Sequence, residues 1–211
     1  MSSLKKLLIV YVGIVHLLFV YVLFKPVPVP TYPQLQHQIF TLAEIPPGST
    51  VFLGDSLTAG LGMAAFTPGV NLALPGDTTK GLAQRMQDYR LSRAGTIVLM
   101  IGTNDPDGEA AFDSIAQRLP RVPIIWYAIP PIDPTIEKAR TNSRIAELNR
   151  RIETLCASID GCTFATLPLA GPDGRLAYHV GDGLHLSEEG YEIWRRDLRP
   201  RLAALRNEPP R

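Results

Sequence analysis

Along the chain, short and almost unbroken apolar runs alternate with segments whose apolar residues recur every three or four positions. The runs are Thr50–Gly54, Val70–Leu74, Thr96–Ile101 and Pro123–Ile129, with a weaker fifth at Cys162–Thr166. Their length and lack of polar alternation predict strands buried on both faces. Between about 135 and 159, Ile145, Leu148, Ile152, Leu155 and Ile159 fall on one helical stripe. A last helix is expected to start after Ser187, a good N-cap, with Glu188 and Glu189 in its first turn complementing the helix dipole. Its stripe is Tyr191, Trp194, Leu198, Leu202 and Leu205, aromatics read as core packing, and Pro200 is expected to kink or shorten it. Strand–helix alternation with such strands predicts a five-stranded parallel sheet covered on both faces, and right-handed crossovers make it a three-layer α/β/α sandwich. In sheets of that kind the site lies beyond the carboxyl ends of the strands.

One segment breaks this pattern. Leu7 to Phe24 is an uncharged, almost wholly apolar run of 18 residues, preceded by Lys5 and Lys6 and closed by Lys25 and Pro26. As a helix it spans roughly 27 Å, close to a bilayer's hydrocarbon core. It is longer than the apolar part of a cleavable signal and ends without a small-residue cleavage site, which predicts an uncleaved single-pass anchor over residues 1–24. Lys5 and Lys6 favour the cytoplasmic side for the amino terminus, leaving the folded domain outside, with the periplasm the expected location. His16 lies within the span and is assigned no role. Residues 25–49, with Pro26, Pro28, Pro30, Pro33, Pro46 and Pro47, read as a semi-rigid tether; the folded domain is expected over 50–206 and a disordered tail over 207–211.

Charge narrows the function little but excludes one class. With 21 basic and 20 acidic residues there is no electrostatic case for nucleic acid. Arg195, Arg196, Arg199 and Arg201 on the last helix read as a solvated outer face. The two cysteines, Cys156 and Cys162, form no metal-binding pattern; they either pair to close a short loop or stay as buried free thiols.

The chemistry-bearing residues stand where the sheet predicts them. Gly54-Asp55-Ser56-Leu57 follows the first strand, so Ser56 sits at a strand-to-helix turn with a helix N-terminus behind it. It is either a nucleophile or the cap of the next helix. After the second strand comes Pro75-Gly76-Asp77-Thr78-Thr79, where Gly76 can bring its N–H close to a ligand or simply make a turn. Gly102-Thr103-Asn104-Asp105 follows the third strand, and the Asn104 amide can donate to a developing oxyanion or close an Asx turn. Asp182-Gly183-Leu184-His185-Leu186 precedes the last helix. An aspartate three positions from a histidine can hold its tautomer while the other ring nitrogen faces a serine. His37 lies in the tether, and His179 has no aspartate at matching spacing. No G-x-S-x-G elbow surrounds Ser56, which argues against an ordinary α/β-hydrolase.

The four segments GDSL, PGDTT, GTND and DGLHL, in that order over roughly residues 50–205, resemble the SGNH (GDSL) hydrolase family. The stretch from Val70 to Thr79 and the Ile129-Pro130-Pro131 turn look most like its arylesterase, lysophospholipase and acyl-thioesterase branch. The resemblance implies a flavodoxin-like sandwich with Ser56 as nucleophile, and Asp182 and His185 completing the triad. It implies Ser56 N–H, Gly76 N–H and the Asn104 side chain as oxyanion donors, and no metal or organic cofactor. Asp55 is similar to the family's block aspartate and is read as supporting the turn. The acidic run Asp105-Pro106-Asp107-Gly108-Glu109 departs from the family pattern beside the acyl site, against anionic or very long acyl groups.

The expected activity is hydrolysis of a small-molecule or lipid carboxylic ester or thioester through an acyl-serine. Two competitors remain: acyl transfer or deacetylation on envelope glycans with the same triad, and a non-catalytic binding module on the same fold.

Overall fold

A computed structural model describes residues 44–62, 69–105 and 110–207 of the chain. The expected membrane anchor, His16, His37, most of the tether, residues 106–109 of the acidic run and the tail from 208 lie outside the described residues. Among the described residues no helix is long and apolar enough to cross a membrane.

The elements run β1 (Thr50–Gly54), α1 (Ser56–Ala59), β2 (Gly69–Asn71), α2 (Thr79–Arg85), β3 (Thr96–Met100), α3 (Phe112–Ala116), β4 (Ile124–Tyr127), α4 (Asn142–Ala157), β5 (Cys162–Ala165) and α5 (Glu188–Asn207). The sheet order is β2-β1-β3-β4-β5, and all four pairings are parallel. Sequence order reverses beside β1, so the loops after β1 and β3 meet at a crevice beyond the strand ends.

Because side chains alternate across a strand, the apolar runs feed two cores. Val51, Leu53, Ile97, Leu99, Ile124 and Trp126 face α2, α3 and α4, meeting Leu82, Phe112, Ile115, Leu148 and Ile152. Phe52, Val98, Met100, Ile125 and Tyr127 face the opposite way, onto Leu57, Trp194, Leu198 and Leu202. This is the expected three-layer sandwich with five parallel strands. Trp194 meets Tyr127 edge-on, with ring centroids 5.4 Å apart, and the Tyr127 hydroxyl donates to Asp197 at 2.7 Å. Ile45 and Ser49, at the end of the stretch read as a tether, are already buried in the domain.

Three expectations need correction. Regular pairing in β2 stops at Asn71 rather than Leu74, because Asn71 Oδ1 turns back to accept the Ala73 N–H at 3.1 Å. Leu72 and Leu74 still donate to Phe52 and Gly54 of β1, so the segment stays tied to the sheet. Helix α4 starts at Asn142, well after 135. The Thr141 hydroxyl caps it, and the Asn142 side chain is committed to both the N–H and the carbonyl of Ile132. Pro200 does not end or shorten α5, which runs on to Asn207. Proline there removes the bond to the Arg196 carbonyl, but Arg196 and Pro200 are both exposed, so water can satisfy that oxygen.

Cys156, at the end of α4, is disulfide-bonded to Cys162, at the start of β5. The open alternative between paired and free thiols is thereby decided in favour of the pair.

Candidate active site

Each site residue stands just past a strand end or just before a helix, and local chemistry places it there. β1 ends at Gly54, where an added Cβ would lie 2.1 Å from the Met100 carbonyl oxygen and 2.2 Å from Thr58 Oγ1. Only glycine allows β1, β3 and α1 to approach so closely. Asp55 then caps α1, its Oδ1 accepting the Leu57 N–H at 3.1 Å, and Ser56 becomes the first helical residue. Thr58 Oγ1 donates to the Met100 carbonyl at 3.1 Å, and Asn71 Nδ2 to the Thr58 carbonyl at 2.9 Å, fixing this short helix against β3 and β2.

The nucleophile candidate and the base candidate meet across 129 residues of sequence. Ser56 Oγ lies 3.0 Å from His185 Nε2, and His185 Nδ1 lies 2.7 Å from Asp182 Oδ2. A carboxylate only accepts, so Nδ1 carries the proton and Nε2 is left to accept from the Ser56 hydroxyl. The other Asp182 oxygen accepts the N–H groups of Leu184 and His185, both at 2.9 Å. Partial burial alone would raise the Asp182 carboxyl, but its bonds from the His185 ring and these two N–H groups outweigh it and hold it at about 2. The Asp182 and His185 side chains are 45% and 42% exposed, so the triad lies open at the surface.

The other face of the site is built around Asp77. Its carboxylate accepts the Thr78 N–H at 3.0 Å and pairs with the buried Arg85, which also donates to the Leu72 carbonyl at 3.2 Å and to the Tyr89 hydroxyl. Burial still pushes the Asp77 carboxyl up, against the pull of Arg85. Arg85 thus spans the ends of the segment that carries Gly76, whose φ of 77° suits glycine. Asn104 Nδ2 donates to the Asp77 carbonyl at 2.9 Å, which brings Asn104 beside Gly76 with a second amide proton in hand.

The orientation of the Asn104 amide is imposed from behind. Arg140 Nη2 donates to Asn104 Oδ1 at 2.9 Å, while Nε donates to the Thr103 carbonyl at 2.7 Å and Nη1 to Glu137 at 3.1 Å. Guanidinium is a donor only, so it fixes the amide oxygen on Arg140 and leaves the nitrogen on the side of Asp77. Sequence reasoning missed Arg140 entirely, since it lies 36 positions from Asn104 with no periodic or spacing signal.

Asp105, read with the acidic run beside the acyl site, is buried and already engaged. It accepts from the Thr79 N–H and the Thr79 hydroxyl, each at 3.0 Å, and that hydroxyl accepts the Ala111 N–H at 2.7 Å. Its carboxylate anchors the start of α2 and is not presented to a substrate. Asp55 is the second buried carboxylate. Burial pushes it up to about 6, against the pull of the Leu57 N–H and of Thr103.

A family model described as GDSL-like lipase/acylhydrolase matches residues 52–193. Among solved structures, a GDSL-like lipase from Bacteroides thetaiotaomicron superposes with a TM-score of 0.67 at 20% identity, over 81% of this chain and 97% of that one. The C-terminal catalytic domain of peptidoglycan O-acetyltransferase A from Streptococcus pneumoniae gives 0.60 at 18% identity, over 78% and 98%. Est24, a carbohydrate acetylesterase from Sinorhizobium meliloti, gives 0.52 at 16% identity, over 75% and 99%. No curated protein matches the sequence. At these identities the superpositions speak to the fold.

Proposed function

The chain belongs to the GDSL-like lipase/acylhydrolase family and is a serine ester hydrolase, and on that premise we propose that Ser56, His185 and Asp182 carry its reaction. The observation that supports this most is the hydrogen-bonded chain from Ser56 Oγ through His185 to Asp182, at 3.0 and 2.7 Å. His185 Nε2 takes the Ser56 proton as Oγ attacks the ester carbonyl. The carbonyl oxygen, now an anion, is held by Ser56 N–H, Gly76 N–H and Asn104 Nδ2, donors preorganised by the start of α1, the Arg85-pinned segment and Arg140. Collapse breaks the ester bond, and the departing alcohol or thiol leaves with the proton from His185. Water, deprotonated by the same nitrogen, then attacks the acyl-serine; the acid departs and Oγ regains its proton.

The substrate is proposed to be a carboxylic ester or thioester of the lysophospholipid, aryl ester or acyl-thioester type. The full-length protein, assayed on p-nitrophenyl esters from acetate to palmitate with Ser56→Ala as control, tests the reading. Hydrolysis that disappears in the variant supports it, and the chain-length profile separates a short-acyl esterase from a lipid-directed one. Hydrolysis that survives Ser56→Ala would end it.

A second reading, O-acyl transfer or deacetylation on envelope glycans, is favoured by the open triad, which a polymer can reach without entering a tunnel. The Cys156–Cys162 disulfide supports an oxidising location. We propose on that ground that the domain works outside the cytoplasm, held by the expected anchor. Acylated acceptor in place of free acid, in the presence of a glycan fragment, distinguishes transfer from hydrolysis.

A further inference from the structure

His179 stands outside the triad, yet its imidazole touches the loop on both sides of Asp182. Nδ1 accepts the Gly181 N–H at 3.0 Å and the Gly183 N–H at 3.2 Å. A nitrogen that accepts two N–H groups carries no proton, so the ring proton sits on Nε2. Nε2 faces Asp133 Oδ2 at 3.8 Å, and both side chains are largely buried. The aspartate that local spacing did not supply to His179 thus arrives from 46 positions upstream, in the loop after β4.

Asp133 grips the same loop by a second route: its own N–H donates to the Gly183 carbonyl at 2.8 Å. It is itself fixed, since Oδ1 accepts from the Thr135 N–H at 2.9 Å and the Thr135 hydroxyl at 2.6 Å, with Arg175 at 3.7 Å. Below these contacts the loop closes as a hairpin, with the Val180 N–H donating to the His185 carbonyl at 3.0 Å and the Ser187 N–H to the Tyr178 carbonyl at 2.9 Å. The hairpin bonds flank His185, but among the described residues His179 is the side chain that holds the two peptide N–H groups bracketing Asp182. Asp182 itself is 45% exposed, and among the described residues its hydrogen bonds all fall within its own loop.

We propose that His179, backed by Asp133, is a positioning residue that holds the 181–183 backbone so that Asp182 stays aimed at His185 Nδ1. The inference rests on the triad assigned above. Without the Nδ1 acceptor, two N–H groups lose their partner and the loop relaxes toward water. Asp182 then meets His185 in only part of the population, which lowers turnover while leaving substrate binding alone.

The test is a double-mutant cycle in the full-length protein, with kcat and KM on p-nitrophenyl acetate and a thermal melt for each variant. His179→Ala is expected to lower kcat by about 10- to 100-fold with KM unchanged, the scale of an ångström-level misplacement at a reacting centre. His179→Asn, whose Oδ1 offers an acceptor near the Nδ1 position, is expected to restore most of the loss. In an Asp182→Ala background, adding His179→Ala is expected to change kcat no further, because there is no carboxylate left to aim. An equal drop in both backgrounds, failure of His179→Asn to recover activity in a protein that melts normally, or unaltered kcat in His179→Ala would overturn the proposal. Unaltered kcat in Asp182→Ala alone would show a different failure: the triad itself would be wrong, and His179 would have nothing to position.

Discussion

Replacing Asp55 by asparagine should stabilise the protein, and only above mildly acidic pH. The carboxylate is wholly buried; its Oδ1 accepts the Leu57 N–H at 3.1 Å and Thr103 also draws on its charge, but burial outweighs both. Burial raises the group from 3.8 to about 6. That rise means that folding is penalised by ~3 kcal/mol once the group is ionised in both states. The sign follows from the raised value: the stability associated with the protonated form is fully present below about 3.8 and is lost as pH rises through about 6. Asparagine keeps an oxygen for the Leu57 N–H, is as good an N-cap, and offers Nδ2 to Thr103 Oγ1. At about pH 8 Asp55→Asn should therefore gain up to ~3 kcal/mol, worth about 6–12 °C in melting temperature for a domain of this size. Near pH 4 the advantage should vanish. Denaturant melts of both proteins at several pH values measure it. A difference that does not change with pH, or a loss of stability at about pH 8, would refute the reasoning.

Other consequences are open to equally direct checks. Asn104→Ala should still fold, with a melting temperature lowered by the loss of its bonds to Asp77 and Arg140, and should lower kcat by about 10²–10³-fold, the usual loss for one oxyanion donor; near-normal turnover would remove Asn104 from the mechanism. Arg140→Leu frees the Asn104 amide to turn over, so it should lower kcat in the wild-type background and add little to Asn104→Ala, as steady-state kinetics of the three variants would report. The disulfide closes a loop with a sequence separation of 6, which corresponds to about 2 kcal/mol of chain entropy. Reduction, or Cys156→Ser with Cys162→Ser, should lower the melting temperature by several degrees without abolishing esterase activity.

What the sequence made legible, and what it did not, follows the range of the interactions involved. β1 and β3 were readable to within a residue, because a strand buried on both faces writes itself as an unbroken apolar run. Ser56, Gly76 and Asn104 could be picked out as candidates because each sits in a short motif after such a run, and Asp182 and His185 because their motif immediately precedes the last helix. The start of α4 was not: the apolar stripe says nothing about Thr141 as its cap or about Asn142 and Asn149 holding the loop after β4 at Ile132 and Ile129. Pro200 misled because its cost depends on whether the freed Arg196 carbonyl reaches water, a property of the folded surface. The residues that hold the site in place, Arg85, Arg140, Asp133 and His179, are contacts between distant segments, or single charges whose partner no spacing identifies. The role of Asp105 is of the same kind, since its charge looks outward in the sequence and turns inward onto Thr79 in the fold.

The central claim, that Ser56 activated by His185 forms the covalent acyl-enzyme, is met most directly by labelling the full-length protein with a fluorophosphonate and locating the adduct by peptide mass spectrometry. The account expects a single adduct on Ser56, none in Ser56→Ala and greatly slowed labelling in His185→Ala. Labelling that persists in Ser56→Ala, or proceeds at an unchanged rate without His185, would contradict it.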